Sequence, residues 1–224
     1  MEENAPRQWH LQAPLRDEDI AQLTAGDLVY LTGPAYTARD GVYQHMLVDG
    51  NPPPVDIAEL TNVSFQSSPA GVEVAPGKFE VASLQATAGF RYAKYMPQLL
   101  EEYGVKCVVG KAGMSEEVYQ ETFMKHGAVC LTTVGYGLGA IYGRAIKEVI
   151  GVHWVEELGL SEALWVLDLD DLGPLLVEGD AKGNSFFAQV NDEINNQLTP
   201  LYEGLKAPVF RRIGEEQRPE IELF

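Results

Sequence analysis

The stretch VVGKAGMSEE (108–117) sets one lysine among glycines, between an apolar run and an acidic, helix-like segment. A strand that passes through glycines into a capped helix aims free backbone N–H groups and a positive dipole end at one point. Lys111 added to that arrangement makes a small anion site suited to carboxylate or phosphate. The spacing is not that of a P-loop, which reads GxxxxGK[ST]. A surface turn with a solvated lysine accounts for the same residues. In ATAGFR (86–91), Thr87 and Arg91 stand four apart and share one face of a helix. A hydroxyl beside a guanidinium suits a carboxylate, because arginine offers a bidentate fork. Thr87 as a helix N-cap and Arg91 as a surface charge is the plain alternative. TTVGYGLGAIYG supplies Gly135-x-Gly137-x-x-Ala140 after a strand, with Glu156 downstream, and so formally meets the dinucleotide fingerprint. GVHW intervenes where the acid-bearing strand should form, and close helix–strand packing explains the glycines equally. NAD(P) binding stands as a minor alternative.

The elements that must position these residues follow from hydrophobic spacing. DLVYLTG (27–33) reads as a strand stopped by Gly33-Pro34, and 37–50 as a short helix ending at Gly50 before three prolines. TNVSFQSS, GVEVA and KFEVASLQ read as antiparallel strands with turns. AGFRYAKYMPQLLEEYG has helical spacing with a kink or fresh start at Pro97. VKCVVG and AVCLTTV are short buried strands. SEEVYQETFMKHG is a helix with Ser115 as N-cap, and GAIYGRAIKEVIG a further helix. LWVLDLDD, PLLVEGD and NSFFAQV close as three strands. The expected organisation is an arm over 1–15, one mixed α/β domain over 16–190, and a tail over 191–224 without strong pattern.

The chain has 224 residues with a formal charge of −17, and repels phosphate backbones and anionic membranes over its general surface. Nucleic acid and membrane are therefore not expected as partners. No run approaches the roughly 18 apolar residues of a membrane span, and MEENAPRQWHLQAP lacks the layout of a secretory signal, so a cytoplasmic location is expected. Cys107 and Cys130 sit in apolar runs and read as buried thiols. Two cysteines are too few for an iron–sulfur cluster or an all-thiolate zinc site. With four scattered histidines, the sequence offers no metal ligand set of its own.

LTAGDLVYLTGPAYTARD, TAGFRYAKYMPQLLEEYGVKCVVGKAGM and GVHWVEELGLSEALWVLDLDDLGPLLVEGDAKGNSFF occur in that order. Together, from about residue 20 to 190, they resemble the C-terminal, β-type part of class I iron–sulfur fumarate hydratases and the β subunit of L(+)-tartrate dehydratase. The resemblance implies a swivelling β/β/α domain and a hydro-lyase that adds or removes water on a C4 hydroxy-dicarboxylate. It implies a [4Fe–4S] cluster held by three cysteines of a partner α subunit, in an α2β2 heterotetramer. By the same resemblance, Arg39 of TARD and Arg91 would bind substrate carboxylates, Thr87 would serve proton transfer, and Lys111 would reach the substrate. Such groups suit the enediolate-like charge that develops when a proton leaves. The chain departs from the family pattern at Gln85-Ala86 (for Gly-Pro), Ala88 (for a second threonine), Tyr92-Ala93 (for Met-Asp), Tyr43-Gln44-His45 (for a basic run) and Ala112 (for glycine). These departures keep a non-catalytic or regulatory ligand-binding relative as an alternative.

Overall fold

VKCVVG and AVCLTT carry apolar side chains on both faces, as strands covered on two sides do. Both lie inside one sheet. The computed structural model describes residues 5–135 and 137–204. Its strands are β1 (Gln8–Gln12), β2 (Leu28–Thr37), β3 (Val63–Phe65), β4 (Ser67–Ala75), β5 (Lys78–Ala86), β6 (Cys107–Gly110), β7 (Val129–Thr133), β8 (Ile146–His153) and β9 (Leu164–Gly179). The main sheet has the order β1-β2-β3-β6-β7-β9-β8, while β4 and β5 form a separate antiparallel hairpin. β1, β2, β3, β6 and β7 are parallel. The long β9 pairs antiparallel with β7 and also with β2. The pairings β2-β3-β6-β7-β9-β2 therefore close a five-stranded ring. The expected mixed α/β class holds.

Alternate side chains of these strands enter two apolar clusters, as the two-residue period of a strand requires. Val63, Phe65, Cys107, Val109, Val129 and Leu131 join Val29, Leu31 and Leu175 in one. Val108 and Cys130 join the other, with Tyr92, Leu99, Tyr119 and Phe123 from the helical segments. Each fully buried Val, Leu or Phe contributes about 1.5–3 kcal/mol relative to exposure. The chain divides between Gln189 and Val190 into two compact units, and among the described residues the strands lie in the first.

Several elements differ from the sequence expectation. The arm over 1–15 contains β1, whose Leu11, with Ala13 and Leu15 beyond it, is buried and packs with the core. The alternation of Trp9, Leu11, Ala13 and Leu15 was its signal, obscured by Pro14. β2 does not stop at Gly33-Pro34 but runs on to Thr37 with register shifts against β9. Strand bending in a small closed sheet uses such irregularities. Likewise LWVLDLDD and PLLVEGD are one strand, passing through Gly173-Pro174. A Cβ on Gly173 would lie 2.8 Å from Val29 O, so the glycine serves close approach to β2. GAIYGRAIKEVIG is helical only over Gly139–Arg144, and its β-branched second half is β8, paired with β9. NSFFAQV opens the helix Phe186–Tyr202, which takes in the first part of the tail expected from 191. Residues 205–224 of that tail lie outside the described residues. TNVSFQSS splits into β3, which pairs parallel, and the start of β4. AGFRYAKYMPQLLEEYG is a 3-10 segment, Gly89–Tyr95, then a fresh helix, Met96–Glu102, with Pro97 in its first turn.

Ala112, where the family pattern has glycine, sits in the left-handed region at φ 64 and is exposed. A Cβ there costs about 1–2 kcal/mol, offset in part by the greater unfolded-state freedom of glycine. Ala112→Gly is expected to stabilise the chain by about 0.5–1 kcal/mol. Denaturant unfolding would show this as a higher midpoint at unchanged slope; a lower midpoint would contradict the strain.

Candidate active site

Parallel strands end on one side of a sheet, and ligands of α/β folds bind beyond those carboxyl ends. Here the chain leaving β2, β3 and β6 carries Arg39, Gln66 and Lys111. The β4–β5 hairpin departs directly after Gln66 and closes on itself through the Ser67–Ala86 pair and a 2.7 Å bond from Ser67 Oγ to Gln85 O. That closure returns Thr87 to Gln66. Thr87 N donates to Gln66 O at 2.6 Å, and Gln66 N donates to Val109 O at 2.7 Å. Lys111 N donates to Thr87 O at 3.0 Å, and Gly89 N to Lys111 O at 2.8 Å, around a parallel bridge between Ala88 and Lys111. Thr87 and Lys111 are thus fixed side by side by main-chain bonds. Both side chains are partly exposed.

Arg39 and Arg91 form a second pair, organised by carboxylates of the same chain. Arg91 Nη2 donates to Asp40 Oδ2 at 2.8 Å, and the Tyr92 hydroxyl donates to the same oxygen at 3.1 Å. Burial raises the Tyr92 phenol, and the nearby Arg39 guanidinium works against that rise. Arg39, Tyr92, Asp40 and Arg91 therefore form one chain of contacts. Arg39 Nη1 also meets Glu162 Oε1 at 3.0 Å, while Glu162 Oε2 accepts Gly41 N at 2.9 Å. Arg39 Nε is buried without a hydrogen-bond partner among the described residues. A buried guanidinium donor without a partner is uncommon. The two pairs are linked through residues 87–91, where Arg91 N approaches Ala88 O at 3.4 Å.

Sequence reasoning missed Asp40, Gln66, Glu162 and Glu178. Asp40 and Glu162 lay within quoted motifs, TARD and LSEALW, yet their roles depend on contacts across the fold. Gln66 is fully buried, and a Cβ on Gly110 would lie 2.6 Å from its Oε1. Glu178 is fully buried behind Gly113. Neither has a local signature.

In GYGLGA, Gly139 serves packing, whereas a Cβ on Gly137 would meet nothing within 4 Å; Gly143, beyond the motif, is also closely packed. A Cβ on Gly139 would lie 2.6 Å from Gln85 Cδ, and one on Gly143 would lie 2.6 Å from Ala82 O. β8 pairs antiparallel with β9, and Glu156 lies in the short helix Val155–Leu158. A dinucleotide site needs that acid at the end of a parallel strand beside β7, so the geometry does not favour one.

Among the described residues no group of three or more His, Cys, Asp or Glu side chains is placed to hold a metal ion. Cys107 and Cys130 are buried in different apolar clusters. Burial pushes the Cys130 thiol up to about 12 and raises Cys107 as well, whereas a metal ligand must be a thiolate.

The profile of the fumarase C-terminus family matches residues 1–190. A putative L(+)-tartrate dehydratase subunit beta of Methanocaldococcus jannaschii is 32% identical over 190 residues, covering 84% of this chain and 95% of that protein. The L(+)-tartrate dehydratase subunit beta of Escherichia coli K12 is 31% identical over 193 residues, 86% of this chain and 93% of the relative. A putative fumarate hydratase class I of Geobacillus stearothermophilus is 30% identical over 200 residues, 89% of this chain but 37% of that longer protein.

Proposed function

The chain belongs to the fumarase C-terminus family, and from that premise we propose that it is the β subunit of a two-component hydro-lyase acting on a C4 hydroxy-dicarboxylate of the malate or tartrate type. The observation that carries this reading is the bridge holding Thr87 against Lys111, on the segment that also presents Arg91. Arg39 and Arg91 would each take a substrate carboxylate. Arg91 can turn from Asp40 at little cost, since both partners of that pair are about half exposed and exposed pairs contribute only about 0–1 kcal/mol. Lys111 would oppose the negative charge that grows as a proton leaves the substrate carbon. Thr87 would hand that proton on, with a base from the partner chain to activate its hydroxyl.

We assign the [4Fe–4S] cluster implied by the resemblance to the partner α chain, and the assembly to an α2β2 heterotetramer in the cytoplasm. The "subunit beta" names of the relatives support a partner. Among the described residues no helix is long and apolar enough to cross a membrane.

Anaerobic co-expression with a three-cysteine α-type chain tests the proposal. The expected result is a co-purifying complex that converts at least one of fumarate, L-malate, L(+)-tartrate or mesaconate, with neither chain active alone. A complex inert on all four, or no complex with any such chain, would overturn it.

A further inference from the structure

Glu178, next to last in β9, is completely buried. Its Oε1 accepts the Ser185 hydroxyl at 2.7 Å, and Ser185 Oγ in turn accepts Ala188 N at 3.1 Å, capping the helix Phe186–Tyr202. Its Oε2 has no hydrogen-bond partner among the described residues. That oxygen lies against Gly113: a Cβ placed there would come within 2.5 Å of Glu178 Cδ. Gly110, at the end of β6, backs onto the buried Gln66 amide, whose Oε1 is also without a partner among the described residues. Met114 N donates to the Tyr119 hydroxyl at 2.7 Å, and a Cβ on Gly179 would lie 2.8 Å from the Tyr119 ring carbon Cγ. The chain from the end of β6 is thus gripped at Gly110, Gly113 and Met114, with Glu178 against it at Gly113.

We propose that Glu178 is a positioning residue that sets the direction of Lys111 by fixing the loop at Gly113. This rests on the reading of Lys111 as a substrate-facing group. The titratable groups that face Glu178 are Tyr119, from the helical segment after Ser115, and Cys130 of β7. Its other polar neighbours are the Ser185 hydroxyl and the N–H groups of Phe187 and Met114. None of these is cationic. Burial raises the Glu178 carboxyl above its ordinary 4.5, and the Tyr119 and Ser185 hydroxyls offset only part of that rise. A neutral carboxyl fits under Gly113; an ionised one is a buried charge with an unmet oxygen. The sign follows: stability from this group is complete at acid pH and is lost as pH rises from 4.5 through the raised value.

The test uses the full chain, alone and in the reconstituted complex, as wild type, Glu178→Gln and Glu178→Ala. In Glu178→Ala, amide exchange at Ala112, Gly113 and Met114 is expected to accelerate about tenfold or more while β6 and β7 stay protected. In the complex, kcat on whichever of fumarate, L-malate, L(+)-tartrate or mesaconate it converts is expected to fall about 10–100-fold, with KM changed much less. Glu178→Gln, which keeps the shape without the charge, should restore both and remove the wild type's loss of kcat with rising pH. Unchanged loop exchange in Glu178→Ala would overturn the proposal, as would a Glu178→Gln variant no better than Glu178→Ala. If the alanine variant fails to fold, the comparison of wild type with Glu178→Gln across pH decides: parallel pH profiles sink the idea. Loop exchange is read without substrate, so an inert Lys111 would defeat the functional reading while leaving this measurement intact.

Discussion

Lys111→Ala is expected to lower kcat/KM of the reconstituted complex by about 10²–10³-fold, with most of the loss in kcat. Its backbone N–H and carbonyl make the bonds to Thr87 and Gly89, so the substitution leaves the Ala88–Lys111 bridge intact while it removes the ammonium group and its stem. A group that meets negative charge growing on the substrate acts in the transition state more than in the ground state, and so affects kcat. Lys111→Arg should recover little, because a planar fork does not replace a compact ammonium at a tight turn. Lys147→Ala is the control: that lysine pairs with Asp168 at 2.9 Å on β8 and is largely exposed, and activity should be unchanged. Steady-state kinetics on the converted dicarboxylate reads all three. Full activity in Lys111→Ala would favour the non-catalytic alternative instead.

Gly113→Ala should be the most damaging single methyl group in the site loop. Two costs add. At φ +67 an L side chain is strained by about 1–2 kcal/mol. The new Cβ would also meet the Glu178 carboxyl group, 2.5 Å from its Cδ, where that side chain is wholly enclosed. Overpacking of this kind costs about 1–3 kcal/mol. A total loss of about 2–5 kcal/mol is expected in denaturant unfolding, with catalytic loss in any folded fraction. Its neighbour gives the opposite sign: Ala112 is exposed and strained, so removing its methyl group helps. Equal small effects at both positions would show that the loop is not gripped as described.

The candidate groups were legible residue by residue. Lys111 among glycines and the Thr87–Arg91 spacing each allowed an anion site beside a plain surface reading, and the family resemblance carried by the ordered motifs implied a dicarboxylate. Their mutual placement was not legible. Thr87 reaches Lys111 because the β4–β5 hairpin closes on itself and hands the chain back to Gln66. The Thr87–Arg91 spacing reads as one helical face, yet Thr87 lies before a 3-10 segment and bonds to the strand ends instead. Asp40 and Glu162, which hold the arginines, and Glu178, which backs the loop, come from elements distant in the chain.

The same boundary runs through the fold. VKCVVG and AVCLTT could be read as buried strands from their own residues, because being apolar on both faces leaves few other environments for so short a run. AIKEVIG could not, since helix and strand preferences differ by only about 1 kcal/mol per residue or less, and pairing with β9 decides. β9 itself looked like two strands, because Gly173-Pro174 is a turn signal in isolation and becomes a close approach to Val29 only when β2 lies alongside. What the sequence by itself determined is the set of candidate groups and the apolar runs that must be buried. Only the tertiary structure decided which strands close the ring, which carboxylates hold the arginines, and what backs Lys111. Those outcomes depend on contacts between residues far apart in the chain, and no local preference is large enough to dictate them.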